Sequence, residues 1–328
     1  MQPKTTIHDV ARAAGVSVTT VSQVLAGKGR ISPDTVARVT EAAEQLGYRR
    51  NPSAAALRGA GSGVIGLIVR DLRHPFYAAL AAALGEALEE AGKTLLLSQS
   101  GAAGERRQQC VEALMAQGVE GIVLGGDAKA AAALAAQAQG VPVICASRAS
   151  AQSEVDLIQP DNQLGGHLAT EQLIAQGHRH IAWLGGRAAS QRRAERIGGY
   201  CAALLQHALP LKPEWMVECA ENQAAAMAAA MQLTASYPAL TAIIASDYAV
   251  AQGAWIGLLR GGRARDVSLV GFCEEASLQP GEMLTLIASP AQAIGRAAAA
   301  RMLLRLSAPA LPAQHIIVPP TRFPGDAA

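Results

Sequence analysis

The chain has 328 residues, of which 50% are hydrophobic, and a formal net charge of only +2. This length predicts about two domains in addition to a small module, and the composition supplies a large apolar core. No stretch approaches the roughly 20 uninterrupted apolar residues of a membrane helix, and no apolar run near the N-terminus is typical of a signal peptide. We therefore expect a cytoplasmic protein with no membrane partner.

The cysteines and histidines do not indicate a metal site. No two cysteines have the spacing of metal ligands. The five cysteines are Cys110, Cys145, Cys201, Cys219 and Cys273. They are typical of small buried residues in a reducing compartment. His178 and His180 flank Arg179, which favours a surface turn over a zinc site because no further ligand cluster accompanies them. We expect no metal, no cofactor and no catalytic residue.

Residues 6–25 have the pattern of two short helices joined by a tight turn. The apolar face of the first helix is formed by Ile7, Val10, Ala11 and Ala14. Gly15 suits the left-handed conformation just past a helix, and Ser17 is placed to cap the second. The buried stripe of that helix would be Val21, Val24 and Leu25. Its remaining side chains are short and polar, as in a recognition helix that enters the major groove, although an ordinary helical hairpin is the alternative.

A third helix follows and makes a small basic bundle. Ser32-Pro33-Asp34-Thr35 is a strong helix start, with a capping serine and a proline at the first helical position. The apolar face continues at Val36, Val39, Ala42, Ala43 and Leu46, and Gly47 closes the helix. The first 60 residues carry eight basic against four acidic side chains, so the rest of the chain is slightly acidic. This distribution is typical of nucleic-acid binding.

Several segments resemble the LacI/GalR family of bacterial transcription repressors. They are Ile7-His8-Asp9-Val10-Ala11, Gly15-Val16-Ser17, Thr20-Val21-Ser22 and Asn51-Pro52 followed by Leu57. The resemblance extends over essentially the whole chain, and residues 66–71 and 146–150 are most like the maltose-regulon regulators of the family. It implies a sequence-specific repressor in carbohydrate gene control that binds a palindromic operator as a homodimer and associates with the nucleoid.

The resemblance also implies the DNA contacts. They are Thr6, Ser17, Val18, Thr19, Thr20, Ser22, Gln23, Arg30, Asn51, Ala54 and Leu57. Val18 would touch a thymine methyl group, while Gln23 would pair with adenine or contact a phosphate. Residues 51–62 correspond to the hinge helix of the family, which wedges a leucine into the minor groove. Leu57 occupies that place, and the alternative is that it packs on the body.

After residue 62 the pattern changes to short apolar runs separated by alanine-rich helical stretches. The runs are 64–69, 94–97, 121–124, 141–146, 180–184, 242–245, 267–271 and 315–318. This alternation predicts parallel sheets with helices on both faces. We expect a helix-turn-helix headpiece (1–50) and an α/β body (63–328) of two doubly wound lobes with a cleft between them, the periplasmic-binding-protein-like fold. The N-lobe would comprise about 63–160 and 291–316, and the C-lobe about 161–290 and 317–328.

Ligands of such sheets lie at the carboxyl ends of the strands. The candidate effector residues there are Arg70, Phe76, Tyr77, Ser147, Arg148, Arg196, Ser246, Asp247, Cys273, Glu274 and Ser289. The family resemblance assigns Arg196, four residues before Tyr200, to the effector's polar groups, and a forked guanidinium suits vicinal hydroxyls or a phosphate. The two aromatic side chains would stack on a sugar or, alternatively, pack in the core.

The sequence departs from the family at three of these positions. Ser147 and Cys273 stand where acidic residues are usual, and Ser246 stands where an asparagine often occurs. Fewer carboxylates and more arginines favour an anionic sugar over a neutral one, and leave open a constitutive repressor with no effector.

Two other classes of protein share the fold of the body. An enzyme is disfavoured because no nucleophile elbow, lysine-bearing phosphate loop or metal-ligand pair is present. A periplasmic receptor would lack the basic headpiece and carry a signal peptide. The segment after the last apolar run has no leucine heptads, so we expect a dimer rather than a tetramer.

Overall fold

The structure is a computed structural model that describes residues 5–25, 29, 31–48, 61–101, 105–126, 140–146, 155–188, 190–274 and 285–323. The chain divides into two compact units, Met1–Ser62 and Gly63–Ala328. We call the first unit the headpiece and the second the body. The predicted hinge helix, including Asn51, Ala54 and Leu57, lies outside the described residues.

The headpiece contains three helices, α1 (Ile7–Ala14), α2 (Val18–Leu25) and α3 (Pro33–Gln45). The expected helix ends are confirmed. Gly15 is left-handed at φ 64°, and the Ser17 hydroxyl accepts a hydrogen bond from the Thr20 amide at 3.0 Å. The Ser32 hydroxyl likewise accepts from the Thr35 amide at 3.4 Å. The local sequence therefore sets where each helix begins or ends.

The core of the headpiece is formed around Val10, Val21 and Val39, which are fully buried. Val24 and Leu25 are half-buried at its edge. Val36 and Leu46 were expected on the buried face of α3 but are each 39% exposed. The helices differ in length. At 1.5 Å per residue, α1 and α2 are each about 12 Å long whereas α3 is about 20 Å long, so α1 and α2 can cover only the middle of α3.

The N-lobe of the body is a six-stranded parallel sheet. Its strands are β1 (Val64–Val69), β2 (Thr94–Gln99), β3 (Gly121–Gly125), β4 (Val143–Ala146), β5 (Asp156–Pro160) and β11 (His315–Val318). They lie in the order β11-β5-β4-β3-β1-β2. Its described helices are α4 (Pro75–Glu90), α5 (Arg107–Ala116) and α10 (Ala291–Ser307).

The C-lobe repeats this arrangement. Its strands are β6 (Ile181–Leu184), β7 (Met216–Val217), β8 (Ala242–Ala245), β9 (Ser268–Glu274), β10 (Thr285–Ser289) and β12 (Thr321–Phe323). They lie in the order β12-β10-β9-β8-β6-β7, and only β12 is antiparallel. Its described helices are α6 (Asn162–Ala175), α7 (Gln191–Gln206), α8 (Gln223–Ser236) and α9 (Tyr248–Arg260).

Both faces of each sheet are covered, which explains the uninterrupted apolar runs. In β1, Leu67 packs in one core cluster and Ile68 in another on the opposite face. In β8, Ile243 and Ile244 divide in the same way between two clusters of the C-lobe. No described helix is long and apolar enough to cross a bilayer.

The predicted fold class is confirmed, and the structure adds four strands to those predicted. The apolar runs located eight strands but not β5, β7, β10 or β12, which are short or contain polar residues. All four residues of β11 pair with β5 in the N-lobe sheet, so this sheet extends two residues past the approximate boundary at 316. The chain therefore returns to the C-lobe after Val318.

Candidate functional site

The predicted DNA-contacting residues of the headpiece fall into two groups. Thr19 and Gln23 on α2 are exposed, while Val18, Thr20 and Ser22 are half-buried. Val18 packs partly against the headpiece core. The exposed face of α2 therefore presents Thr19 and Gln23 most fully. Arg30 lies outside the described part of the chain, as do the three hinge residues.

Thr6 and Ser17 are exposed and also hold helix ends. The Thr6 hydroxyl donates to Asp9 Oδ2 at 2.7 Å and its backbone amide donates to the same oxygen at 2.9 Å. These hydrogen bonds hold the pKa of Asp9 below its ordinary value. Ser17 and Thr20 share a hydroxyl hydrogen bond of 2.8 Å. The side chains of Thr6 and Ser17 are thus already ordered at helix ends before any DNA is bound.

The body contains a cavity of about 430 Å³ at the carboxyl ends of β1, β8, β9 and β10. From the N-lobe it is lined by Asp71, Arg73, His74 and Pro75. From the C-lobe it is lined by Arg196, Glu221, Asp247, Tyr248, Ala249, Phe272, Cys273 and Ser289. This is the position at which doubly wound sheets bind ligands, and the volume is within the usual range for small-molecule sites.

Arg196 is the most deeply held charged group of the cavity lining, with 4% of its surface exposed. Its Nε donates to Asn162 Oδ1 at 3.2 Å, and its Nη1 donates to the Ser246 carbonyl oxygen at 2.7 Å. The guanidinium carbon lies 3.7 Å from the centre of the Phe272 ring, a cation–π geometry that adds attraction when the cation is desolvated. Three contacts from three elements therefore fix this side chain.

Tyr200, one turn further along α7, has a different role. It is fully buried, and its hydroxyl donates to the Ile181 carbonyl oxygen at 2.8 Å. Burial raises the pKa of Tyr200 far above its ordinary value. This hydrogen bond joins α7, the helix that carries Arg196, to β6 of the C-lobe sheet.

The end of β8 contributes two more predicted residues. Asp247 caps α9, because its Oδ1 accepts from the Val250 amide at 3.0 Å. The Ser246 hydroxyl is buried and has no hydrogen-bond partner among the described residues. A buried polar group of this kind costs free energy unless it is satisfied.

The N-lobe side of the cavity is a loop of charged residues. Asp71 Oδ2 and Arg73 Nη2 lie 2.8 Å apart, and the hydrogen bonds from Arg73 lower the pKa of Asp71. His74 Nδ1 accepts from the Phe76 amide at 3.2 Å and caps α4. Because Nδ1 accepts, the neutral ring carries its proton on Nε2.

The structure shows that Phe76 and Tyr77 pack in the core, which was the alternative to stacking on a sugar. Both belong to the N-lobe core, with Phe76 fully buried and Tyr77 7% exposed. Their rings meet edge to face with centroids 5.4 Å apart. A side chain without exposed surface cannot stack on a ligand in this conformation, and the preceding His74 and Pro75 line the cavity instead.

The remaining predicted effector residues are distributed as follows. Cys273 and Ser289 line the cavity, whereas Arg70 is exposed and is not part of the lining. Ser147, Arg148 and the side chain of Glu274 lie outside what the structure describes. The cavity lining also contains residues that were not among the predicted effector residues: Asp71, Arg73, His74, Pro75, Glu221, Tyr248, Ala249 and Phe272. Arg73 could have been found, because it lies in the loop after the predicted strand 64–69, two residues beyond Asp71.

The described histidines, cysteines and carboxylates do not form a metal site. No group of three or more of them within the described ranges has a metal-binding arrangement. His178 Nδ1 lies 3.1 Å from Thr241 Oγ1, whereas His180 packs edge-on against Trp215. The two rings therefore have separate structural partners.

Both parts of the chain match families of known proteins. Residues 6–51 match the family described as "Bacterial regulatory proteins, lacI family", and residues 62–321 match "Periplasmic binding proteins and sugar binding domain of LacI family". The chain is 44% identical to the maltose regulon regulatory protein MalI of Escherichia coli (strain K12), over 96% of each protein. It is 50% identical to MalI of Vibrio furnissii over 36% of this chain and 87% of that protein.

Two solved structures support the same relationship. The lac repressor dimer bound to operator and the anti-inducer ONPF superimposes with a TM-score of 0.85 at 25% identity, over 98% of both chains. The transcriptional regulator CelR in complex with cellobiose gives a TM-score of 0.70 at 25% identity, over 99% of this chain and 100% of that chain.

Proposed function

The chain belongs to the LacI family of DNA-binding bacterial transcription regulators and is not an enzyme, and on this premise we propose that it represses transcription from a palindromic operator as a homodimer. A sugar or sugar phosphate in the cleft of the body modulates this binding. Its similarity to MalI supports a role in maltose-type carbohydrate gene control. Its place of action is the bacterial cytoplasm, at the nucleoid.

One observation carries the effector proposal: a nearly buried arginine lines a cavity at the meeting of the two lobes. Arg196 comes from the C-lobe, and Asp71, Arg73 and His74 face the same cavity from the N-lobe. A ligand that contacts both sides stabilises one relative position of the lobes. It changes operator affinity only by the difference in its affinity for the two positions.

The polar groups of the cavity suit a hydroxyl-rich ligand. They include a guanidinium, two carboxylates on the C-lobe side and a serine at the end of β10. Arginine pairs with phosphate as well as with vicinal hydroxyls. Arg196 therefore suits both a neutral sugar and a sugar phosphate. Phe272 adds an aromatic surface next to the guanidinium.

On the DNA side, the exposed face of α2 supports the base contacts proposed for Thr19 and Gln23. Val18, Thr20 and Ser22 lie beside them, while Thr6 and Ser17 approach phosphates from helix termini. Arg30, Asn51 and Ala54 complete the proposed contacts, and Leu57 enters the minor groove at the centre of the operator.

A constitutive repressor is the second candidate. It is favoured by the engagement of Arg196 with Asn162, Ser246 and Phe272 inside the protein. In that case the arginine would join the elements of the C-lobe without receiving a ligand.

One experiment separates these candidates. An operator is first selected from random duplexes with the full-length protein, and the proposed function requires that a two-fold symmetric sequence is enriched. Release of the protein from this operator is then measured by fluorescence anisotropy against a panel of neutral sugars and sugar phosphates. Binding to the isolated protein is followed in parallel by thermal shift, because a ligand of the folded state raises its melting temperature.

Arg196→Ala is the diagnostic variant, with Arg260→Ala as the matched control because Arg260 is exposed and outside the cavity lining. We expect a sugar or sugar phosphate to change operator affinity of the wild type and of the control, but not of Arg196→Ala. Arg196→Lys keeps the charge without the fork and should respond weakly. A panel without any hit would favour the constitutive repressor, and an Arg196→Ala protein that still responds would refute the anchor.

A further inference from the structure

Glu195 lies next to Arg196 on α7 but is not part of the cavity lining. Its half-buried carboxylate accepts two hydrogen bonds, from Asn162 Nδ2 at 2.8 Å and from Gln191 Nε2 at 2.9 Å. Asn162 is 3% exposed, and its Oδ1 accepts from Arg196 Nε at 3.2 Å. A chain of hydrogen bonds thus runs from Glu195 through one amide to the guanidinium.

The chemistry of the three groups gives this chain a direction. A carboxylate only accepts hydrogen bonds and a guanidinium only donates them, whereas an amide does both. Glu195 must therefore face the NH₂ of Asn162, which turns the amide oxygen toward Arg196. If the amide were reversed, an oxygen would oppose a carboxylate and an NH₂ would oppose a guanidinium, so both contacts would be lost.

The packing of α6 against α7 makes this contact possible. A Cβ atom on Gly166 would lie 1.9 Å from the Arg196 carbonyl oxygen, and one on Gly199 would lie 1.9 Å from the Gln163 carbonyl oxygen. The two helices therefore touch backbone to backbone. This close approach brings Asn162, at the first turn of α6, within reach of both Glu195 and Arg196.

From this arrangement we infer that Glu195 is a positioning residue of the effector site, which acts on the Arg196 guanidinium through the orientation of the Asn162 amide. The orientation of a guanidinium decides which way its planar fork faces, and so which ligand oxygens it can bind in pairs. Glu195 thereby holds the binding geometry of the cleft without contacting the ligand. The role of Arg196 in this inference rests on the proposed function, whereas the chain of hydrogen bonds from Glu195 to Arg196 does not.

The test measures hydrogen exchange at the Arg196 guanidinium in the ligand-free, full-length protein. The ¹⁵N signal of Arg196 Nε–H is assigned as the one lost in Arg196→Lys, and its solvent exchange rate is measured. Glu195→Ala removes the acceptor that orients the amide, and we expect exchange to accelerate on the order of tenfold, the factor that corresponds to loss of one ordinary hydrogen bond. Glu195→Gln still offers an amide oxygen to Asn162 Nδ2, so its exchange rate should remain near that of the wild type.

A polarity swap provides the second measurement. Asn162→Asp places a carboxylate against Glu195, and we expect a lower melting temperature than in the wild type. Glu195→Gln added to Asn162→Asp restores the alternation, because the new glutamine donates to Asp and Asp accepts from Arg196. This double variant should regain most of the lost melting temperature and keep slow Nε–H exchange.

The outcomes are decisive in each direction. Equal exchange rates in Glu195→Ala and the wild type would overturn the inference, as would a double variant no better than Asn162→Asp alone. If Glu195→Ala does not fold, the polarity swap still decides. A sugar panel without hits would count against the proposed function and leave these results unchanged, so the two failures are distinguishable.

Discussion

The two lobes of the body share a sheet order but differ in the contacts that hold their helices in place. The N-lobe has β2-β1-β3-β4-β5 and the C-lobe has β7-β6-β8-β9-β10 in the same sequence of neighbours. The next strand is parallel in the N-lobe and antiparallel in the C-lobe. A shared strand order therefore does not determine which side-chain and backbone contacts hold the helices in place.

In the N-lobe a buried ionic cluster fastens the elements next to the lobe boundary. Asp156, at the start of β5, is 2% exposed and pairs with Arg301 Nε at 2.8 Å and with Arg305 Nη2 at 2.7 Å. Its Oδ1 also accepts from the Gln314 amide at 2.9 Å. One carboxylate thus joins β5, the end of α10 and the segment before β11.

In the C-lobe, glycines let helices approach until their backbones touch. The pair Gly166 and Gly199 joins α6 to α7, and a Cβ atom on Gly253 of α9 would lie 2.3 Å from the Gln223 carbonyl oxygen of α8. The N-lobe has a similar close contact, because a Cβ atom on Gly295 of α10 would lie 2.7 Å from the Leu80 carbonyl oxygen of α4. Both lobes therefore use close helix packing at glycines, and the buried ionic cluster around Asp156 is an additional contact of the N-lobe.

We expect the largest effect from Asp156→Ala, in the ionic cluster of the N-lobe. Removing the shared carboxylate leaves two arginines without their buried partner, and we expect a loss of about 3–5 kcal/mol in the free energy of unfolding. Urea denaturation followed by circular dichroism measures it. The control is Asp266→Ala, which removes an exposed partner 3.6 Å from Arg263 and should cost no more than about 1 kcal/mol. A similar loss of unfolding free energy in the two variants would show that the buried ionic cluster does not stabilise the N-lobe more than an exposed ion pair does.

The second prediction uses neighbouring glycines of α7. Gly199→Ala forces α6 and α7 apart, because the new Cβ would overlap the Gln163 carbonyl oxygen, and such overpacking costs about 3 kcal/mol. Gly198→Ala is the matched control, since no atom lies within 4 Å of its Cβ position and helical alanine gains about 0.5–1 kcal/mol over glycine. Both are measured by urea denaturation. If Gly199→Ala were as stable as Gly198→Ala, the close packing of α6 against α7 would not require glycine at position 199.

The difference between the lobes also explains what the sequence could predict. Local chemistry located the caps at Gly15, Ser17 and Ser32, because those signals lie within one helical turn of their effect. Apolar runs located the central strands, since burial on both faces requires them. The partners of Asp156 could not be predicted, because Arg301 and Arg305 follow it by more than 140 residues in the chain.

The candidate site shows the same limit. Arg196 was identified from its family motif and lies on the cavity, but Phe76 and Tyr77 pack in the core although they follow a strand end. A strand end places the loop, whereas the direction of each side chain depends on the helix phase after Pro75. Glu221 comes from the loop before α8, and its ion pair with Arg192 has no signature in the sequence.

The smallest of the predicted effects concerns acid stability of the C-lobe. His178, in the turn between α6 and β6, has its pKa lowered from the ordinary value of 6.5 because it is partly buried. The unfolded chain therefore binds a proton at a higher pH than the folded one, and this residue reduces the free energy of unfolding as the pH falls below 6.5. The reduction stops growing below the folded pKa. His178→Gln stays neutral and can still bond to Thr241, so we expect a flatter decline between pH 7 and pH 5 in melting temperature measured by calorimetry. Parallel pH profiles for the variant and the wild type would contradict this role, and would leave the C-lobe without a contribution from His178 to its acid sensitivity.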